Sequence, residues 1–202
     1  MNKLYKLSVS FTRFFMKYLW QYEVINEERL RDAKGVIFIA NHISWYDPPF
    51  IGSVTPFEIA YLAKEELFKP IIFGTIIRKL NAIPVNRRGA DVKAITTVIK
   101  ILDSGKSLLL FPEGTARKRK KTTIKPGIGL ITMKTQKDIL PIYIENSDKL
   151  FTTLLFTRKK IRIVIGEMIK YENFAQWEQN KENYQKLADY AFSKIMELKD
   201  ER

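Results

Sequence analysis

Among 202 residues there is one histidine, His42, and there are no cysteines. Histidine is the side chain whose unperturbed pKa lies nearest neutrality, so His42 is the first candidate for proton transfer at physiological pH. It sits in Asn41-His42-Ile43-Ser44-Trp45-Tyr46-Asp47-Pro48-Pro49-Phe50, directly after the apolar run Gly35-Val36-Ile37-Phe38-Ile39-Ala40. That run reads as a buried strand, and the turn from a strand into a helix is where many α/β sites are built. Asp47 follows five residues after His42. On one unbroken helix that step is about 140° of rotation, so the carboxylate reaches the imidazole only if a turn lies between them. Ser44 or Asp47 can cap the following helix, with Pro48 accommodated in its first turn. Spacing alone fits a capped turn beside a half-buried histidine equally well.

A second stretch has the same construction. Ser107-Leu108-Leu109-Leu110-Phe111 reads as a buried strand and ends in Pro112-Glu113-Gly114-Thr115. Together, Asn-His-x-x-x-x-Asp and Phe-Pro-Glu-Gly-Thr closely resemble the glycerolipid acyltransferase family. Lys64-Glu65-Glu66-Leu67-Phe68, Gly74 and Ala82-Ile83-Pro84-Val85-Asn86-Arg87 resemble that family's second block, and Ile139-Leu140-Pro141-Ile142-Tyr143-Ile144 its fourth. One such motif is weak; four in the family's order, from about Val36 to Ile165, are specific.

The resemblance implies transfer of a fatty acyl group from an acyl thioester to the free hydroxyl of lysophosphatidic acid, giving phosphatidic acid, with glycerol 3-phosphate, another lysophospholipid or a lyso-aminolipid as the alternative acceptors. It implies a single α/β domain with a mixed sheet flanked by helices. It marks His42 and Asp47 as catalytic, Lys64 and Arg87 as phosphate ligands, and Asn41, Glu113, Gly114 and Thr115 as supporting the site. The family's third block usually reads Glu-Gly-Thr-Arg. Here Ala116 stands where that arginine is expected and Arg117 follows, so Arg117, or Arg119, would have to take its place on the phosphate. The donor would be acyl carrier protein or coenzyme A thioester, a co-substrate rather than a cofactor, and no metal is called for. The chemistry is self-consistent. His42 can take the hydroxyl proton while Asp47 fixes the ring's tautomer and stabilises the imidazolium, and no covalent acyl-enzyme is then required.

Composition narrows the alternatives. The absence of cysteine excludes disulfides and thiolate zinc sites. A formal net charge of +13 favours an anionic partner: nucleic acid, a phosphorylated substrate or an anionic membrane. Basic runs at 87–88, 117–121 and 158–162 would permit nucleic-acid binding, but no nucleic-acid module motif accompanies them, and a non-catalytic lipid-binding protein would leave His42 and Asp47 without a task. No apolar run reaches the length of a membrane span and no secretory signal is evident. There is no Gly-x-Ser-x-Gly elbow and no phosphate-binding glycine loop.

The elements that must position these residues follow from periodicity. Leu4, Leu7, Phe11, Phe14, Phe15, Tyr18 and Tyr22 fall along one helical stripe, with Lys3, Lys6, Arg13 and Lys17 beside it, a composition suited to a water–lipid interface. Residues 1–25 are therefore expected to be an amphipathic membrane-surface helix and residues 26–202 the acyltransferase domain, held peripherally on the cytoplasmic face of the cell membrane. Residues 23–34 read as a connection. Strands are expected at 36–40, 57–62, 82–85, 107–111, 140–144 and 160–165, and helices at 48–53, 70–80, 90–102, 127–135 and 174–198. Their alternation predicts an α/β sheet covered on its faces. Trp45 and Tyr46 read as core residues or as the lining of an acyl tunnel.

Overall fold

Ile37–Ala40 (β2) is buried at every position, and its side chains alternate in destination: Ile37 and Ile39 enter one apolar cluster, Phe38 and Ala40 another. This period of two, in a strand covered on both faces, makes a central strand with a core on each side. In the computed structural model, which describes residues 2–86, 91–114, 124–149 and 160–201, β2 lies in the middle of a seven-stranded sheet. The other strands are Tyr22–Ile25 (β1), Ile59–Lys64 (β3), Ala82–Val85 (β4), Ser107–Leu110 (β5), Ile139–Glu145 (β6) and Ile161–Ile165 (β7). Their order is β1-β7-β6-β2-β5-β3-β4. β2 through β6 pair in parallel, whereas β7 runs antiparallel to β6 and β1 pairs in parallel with β7. The sheet is thus mixed, and the carboxyl ends of five strands share one edge.

Two helix layers cover it. Lys3–Phe15 (α1), the π-helical turn Met16–Trp20 that continues it, and Asp47–Val54 (α2) bury Met16, Phe50, Ile51 and Val54 on the face that holds Phe38 and Leu109. Val92–Asp103 (α4), Gly127–Thr135 (α5) and Lys181–Glu197 (α6) close the opposite face through Val98, Leu102, Ile128, Ile131, Leu187 and Ile195. Ile71–Lys79 (α3) is the crossover between β3 and β4, and packs Ile77 against Ala63, Phe68 and Ala82. α5 and α6 touch closely at Gly129, where an added Cβ would stand 2.0 Å from the Tyr184 carbonyl oxygen.

Most expected elements lie where periodicity put them. Three do not. Tyr22–Ile25 was expected within or beside a polar connection, yet it is an edge strand, registered Tyr22 to Ile161 through Ile25 to Val164. The expected boundary at residue 25 therefore falls at the end of a strand of the main sheet, and Tyr5 and Met16 of the preceding segment are core residues. The last helix begins at Lys181 rather than near 174: Asn180 accepts the Asn183 N–H as its cap, while Phe174 and Trp177 pack edge to face in the turns before it. Trp45 and Tyr46 are not core; Trp45 is 66% exposed.

Gly129→Ala must push α5 from α6 or distort both, because the atom it meets is backbone. Overpacking of this kind costs about 1–3 kcal/mol or more, so the urea midpoint of Gly129→Ala should fall by at least that equivalent. Gly127→Ala, where an added Cβ meets nothing, should change it little.

Candidate active site

The β2 and β5 register sets Ile39 beside Leu110. Carried past the strand ends, that register brings the turn holding His42 alongside the turn holding Glu113. The crossovers that leave these two strands run over opposite faces, α2 over one and α5 over the other. A crevice outside the carboxyl ends of strands, at such a divergence, is where open α/β sheets place ligands. Both motif blocks stand on it.

Asn41 holds the first turn to the sheet. Its side-chain amide donates to the Ile144 carbonyl at 2.8 Å, and its carbonyl oxygen accepts the Ile144 N–H at 2.7 Å. The buried side chain thus prolongs the β2–β6 ladder beyond the last strand residue. The chain then turns through Ile43–Tyr46, supplying the break in helix geometry that Asp47 needs to face His42. The Asp47 carboxylate is fully buried. Its Oδ2 lies 2.8 Å from His42 Nδ1 and accepts the N–H groups of Ile43 and Ser44, each at 2.8 Å. Its Oδ1 accepts the hydroxyl of Ser147, itself fully buried just past β6. Asp47 does not cap α2: it is the helix's first residue and its carboxylate is turned back onto the preceding loop. Pro48 and Pro49 follow within the first helical turn, where missing N–H donors leave no intrahelical bond unmade.

His42 is thereby oriented through Nδ1, leaving Nε2 as the nitrogen that can serve a substrate. Its ring stacks on Phe111, with centroids 4.1 Å apart and planes at 23°, and its side chain is 12% exposed. A tautomer fixed by a buried carboxylate, with the second nitrogen left for chemistry, is the arrangement of a general base. Beside it, burial raises the pKa of the Glu113 carboxyl above the ordinary glutamate value, and Asp47 adds to the rise, against the His42 N–H that donates to it and the charge of the His42 ring. Glu113 Oε2 is buried without a hydrogen-bond partner among the described residues. Gly114 follows at φ +72, a left-handed turn suited to glycine.

Lys64 ends β3 on the same sheet edge, with Nζ 5.8 Å from the Trp45 ring. Arg87, Thr115 and Arg117 lie outside the described residues. Among those described, the structure therefore brings together Asn41, His42, Asp47, Glu113 and Gly114, and sets Lys64 nearby through Trp45. Sequence reasoning missed Ser147 and the ring contact of Phe111. Ser147 lies one hundred residues from Asp47 in no motif, and only its position just past β6, next to β2, signals it. An apolar cavity of about 530 Å³ opens from Phe111, Pro112 and Gly114 and runs between the sheet and α4 and α5, past Val98, Leu110 and Ile131. No group of three or more metal-ligating side chains occurs among the described residues.

Two outcomes test this geometry. Ser147→Ala strips a donor from a buried carboxylate, a loss of about 1–3 kcal/mol, and should lower turnover more than acceptor affinity when urea unfolding and steady-state kinetics are compared. Glu113→Gln concerns pH. Because burial raises the folded-state pKa, the unfolded chain ionises first as pH rises, and the wild type loses stability between the ordinary glutamate value and the raised one. Glu113→Gln has no such loss, so its stability relative to wild type should grow from about pH 4.5 upward, as read by urea midpoints across pH. Parallel curves would mean that Glu113 ionises freely.

Comparison with known proteins bears on what this site belongs to. The chain is 27% identical over 198 residues to the 1-acyl-sn-glycerol-3-phosphate acyltransferase of Bacillus subtilis strain 168, covering 98% of each chain. It is 34% identical over 111 residues to the protein of the same name from Streptococcus pneumoniae, covering 54% of this chain and 41% of that one. Its fold matches the crystal structure of the 1-acyl-sn-glycerophosphate acyltransferase of Thermotoga maritima with a TM-score of 0.69 at 24% identity, over 98% of this chain and 80% of that one. Residues 21–145 match the acyltransferase family, and that span contains β2, β5 and both motif turns: the chain belongs to the acyltransferase family and is an acyltransferase.

Proposed function

We propose that the protein transfers a fatty acyl group from an acyl thioester to the free hydroxyl of lysophosphatidic acid, forming phosphatidic acid for phospholipid synthesis. The observation that carries this reading is the His42–Asp47 pair, oriented by Ser147 and the Ile43 and Ser44 amides. The full-length similarity to the Bacillus subtilis protein supports the acceptor. His42 Nε2 removes the hydroxyl proton as the oxygen attacks the thioester carbonyl. Asp47 supports the imidazolium that forms. Collapse of the tetrahedral intermediate breaks the carbon–sulfur bond, and the proton passes to the departing thiolate. Lys64, Arg87 and Arg117 bind the acceptor phosphate, arginine in a two-pronged way and lysine as a point charge. The apolar cavity beside Phe111 has a size within the roughly 300–1,000 Å³ of small-molecule sites and suits an acyl chain.

The donor is the thioester of acyl carrier protein or coenzyme A. The protein works peripherally at the cytoplasmic face of the membrane; no helix among the described residues is long and apolar enough to cross one. The exposed stripe of Leu7, Phe11 and Phe14 on α1, continued by Tyr18 in the turn after it, supports surface attachment. Lys3, Lys6 and Lys17 stand with it, whereas Arg13 is engaged with the Ser53 carbonyl.

The deciding assay offers lysophosphatidic acid, glycerol 3-phosphate and a lyso-aminolipid to the purified protein with each donor type. Lysophosphatidic acid should be acylated at least tenfold faster than the others. His42→Ala should lose about 10³-fold or more in turnover, and Asp47→Asn most of it, both with wild-type circular dichroism. Near-normal turnover in folded His42→Ala would overturn the mechanism, and preference for another acceptor would overturn the substrate.

A further inference from the structure

α3 leaves an apolar face unpartnered. Ile71 is 84% exposed and Ile72 79%, and Phe73 and Ile76 are exposed as well. Helical spacing puts Ile71, Thr75, Ile72, Ile76 and Phe73 on one continuous arc, opposite buried Gly74 and Ile77. The Thr75 hydroxyl is spent on the Ile71 carbonyl at 2.7 Å. Folding gains nothing by exposing four large apolar side chains together, and such patches mark interaction sites.

Topology locates this face. β3 and β4 are parallel, so the crossover between them begins at the carboxyl edge of the sheet. The first turn of α3 therefore stands on the edge that carries His42, Glu113 and Lys64. α3 also lies on the same sheet face as α1 and α2. Along β3, Ile59 and Tyr61 pack with the α1–α2 cluster and Ala63 with α3, while Ala60 and Leu62 face the other way. α1 starts at the far end of α3, where the Asn2 side chain donates to the Lys79 carbonyl at 2.9 Å. After α1 the chain continues through the π-helical turn Met16–Trp20 to Tyr22, which returns to the site edge because β1 is antiparallel to β6 through β7. The exposed rings of Phe14 and Tyr18, the Trp45–Tyr46 turn and the first turn of α3 thus converge on one edge.

Charge selects the occupant. α3 contains no acidic residue and ends in Arg78 and Lys79. At its start Lys64 and Lys69 balance Glu65 and Glu66, and Arg78 and Lys79 at its end bring the helix with its approach to +2. Isoleucines with no carboxylate among them, sharing an edge with the exposed rings of Phe14 and Tyr18 on a chain of net charge +13, suit an anionic leaflet, with the alkyl groups among acyl chains and the chain's cations at the headgroups.

We infer that the first turn of α3 is a second membrane-inserting element, which with α1 seats the active-site mouth on the anionic leaflet from two sides. This rests on the surface-acting reading above and adds a residue-level contact to it. The absence of cysteine gives a direct test. Single Ile72→Cys, Phe11→Cys and Ser193→Cys proteins are labelled with an environment-sensitive fluorophore and mixed with phosphatidylcholine–phosphatidylglycerol vesicles carrying spin-labelled acyl chains. Labels at 72 and 11 should shift to the blue and be quenched, while the label at 193 on α6 should not change. Ile71→Ser/Ile72→Ser should partition at least about tenfold more weakly, a loss that persists at high salt because apolar burial is not screened. Its activity on detergent-dispersed acceptor should match wild type. Quenching at 11 but not at 72, with unimpaired partitioning of the double variant, overturns the α3 assignment and leaves the surface reading standing. No vesicle binding by the wild type overturns both. A double variant that changes self-association, with no quenching at 72, overturns the assignment in favour of a second copy of the chain.

Discussion

The site depends on one buried charge. An ionised carboxylate removed from water is costly unless its oxygens are met by donors. Asp47 is met by two backbone N–H groups, a serine hydroxyl and the histidine ring. Hydrogen bonds to a charged group contribute on the order of 1.5–3 kcal/mol each, so the set can offset its desolvation while leaving the carboxylate little freedom. That lack of freedom is what the histidine requires. A ring held through Nδ1 by a fixed acceptor presents Nε2 in one direction, and stacking on Phe111 removes its remaining rotation.

The donors come from the two sides of the domain's central seam, at its carboxyl end. The Ile43 and Ser44 amides belong to the turn after β2, and Ser147 to the segment after β6. They face one carboxylate only because β2 and β6 are adjacent and in fixed register. Asn41 carries that register past the strand, since its amide replaces a peptide group opposite Ile144. Asn41 touches neither His42 nor Asp47 in any hydrogen bond described above. Its effect is to stop the two strand ends from splaying, which would draw Ser147 from Asp47. Glu113 works on the other seam, between β2 and β5, by accepting the His42 backbone N–H. The first motif is thus tied on both sides, and its side chains are placed by neighbours distant in sequence.

Much of this was legible in the residues. The apolar runs that became β2 and β5 were too short and too rich in β-branched or leucine residues to be anything but buried strands, and the polar blocks directly after them had to lie at the sheet edge. What could not be read was what each element met. Tyr22–Ile25 is only half-buried, and its sequence, Tyr-Glu-Val-Ile, lacks the continuous apolar character of a central strand; pairing with β7 is what makes it an edge strand. Trp45 looked like core because tryptophan usually is, yet the turn that aims Asp47 at His42 carries its neighbours outward. Ser147 lies outside every motif because its role is set by the adjacency of β2 and β6. Local pattern thus gave the elements and the His–Asp pair, while pairing order supplied the groups that fix it.

On the reading proposed, the exposed features of the sheet's carboxyl edge answer a difficulty set by the substrates. Donor thioesters arrive from water, whereas an acyl acceptor with one fatty chain resides in a leaflet and offers only its headgroup and a hydroxyl near the surface. A general base at the end of a strand reaches that hydroxyl only if the edge itself sits at headgroup depth. Net positive charge draws the protein to an anionic surface over distances of a Debye length, about 8–10 Å at physiological salt, but charge alone fixes neither depth nor tilt. Apolar side chains do both, because their burial favours only the orientation that immerses them. A single amphipathic helix leaves rotation about its own axis open. Apolar groups flanking the mouth close that rotation, and the largely buried imidazole then opens toward the layer from which its substrate must come.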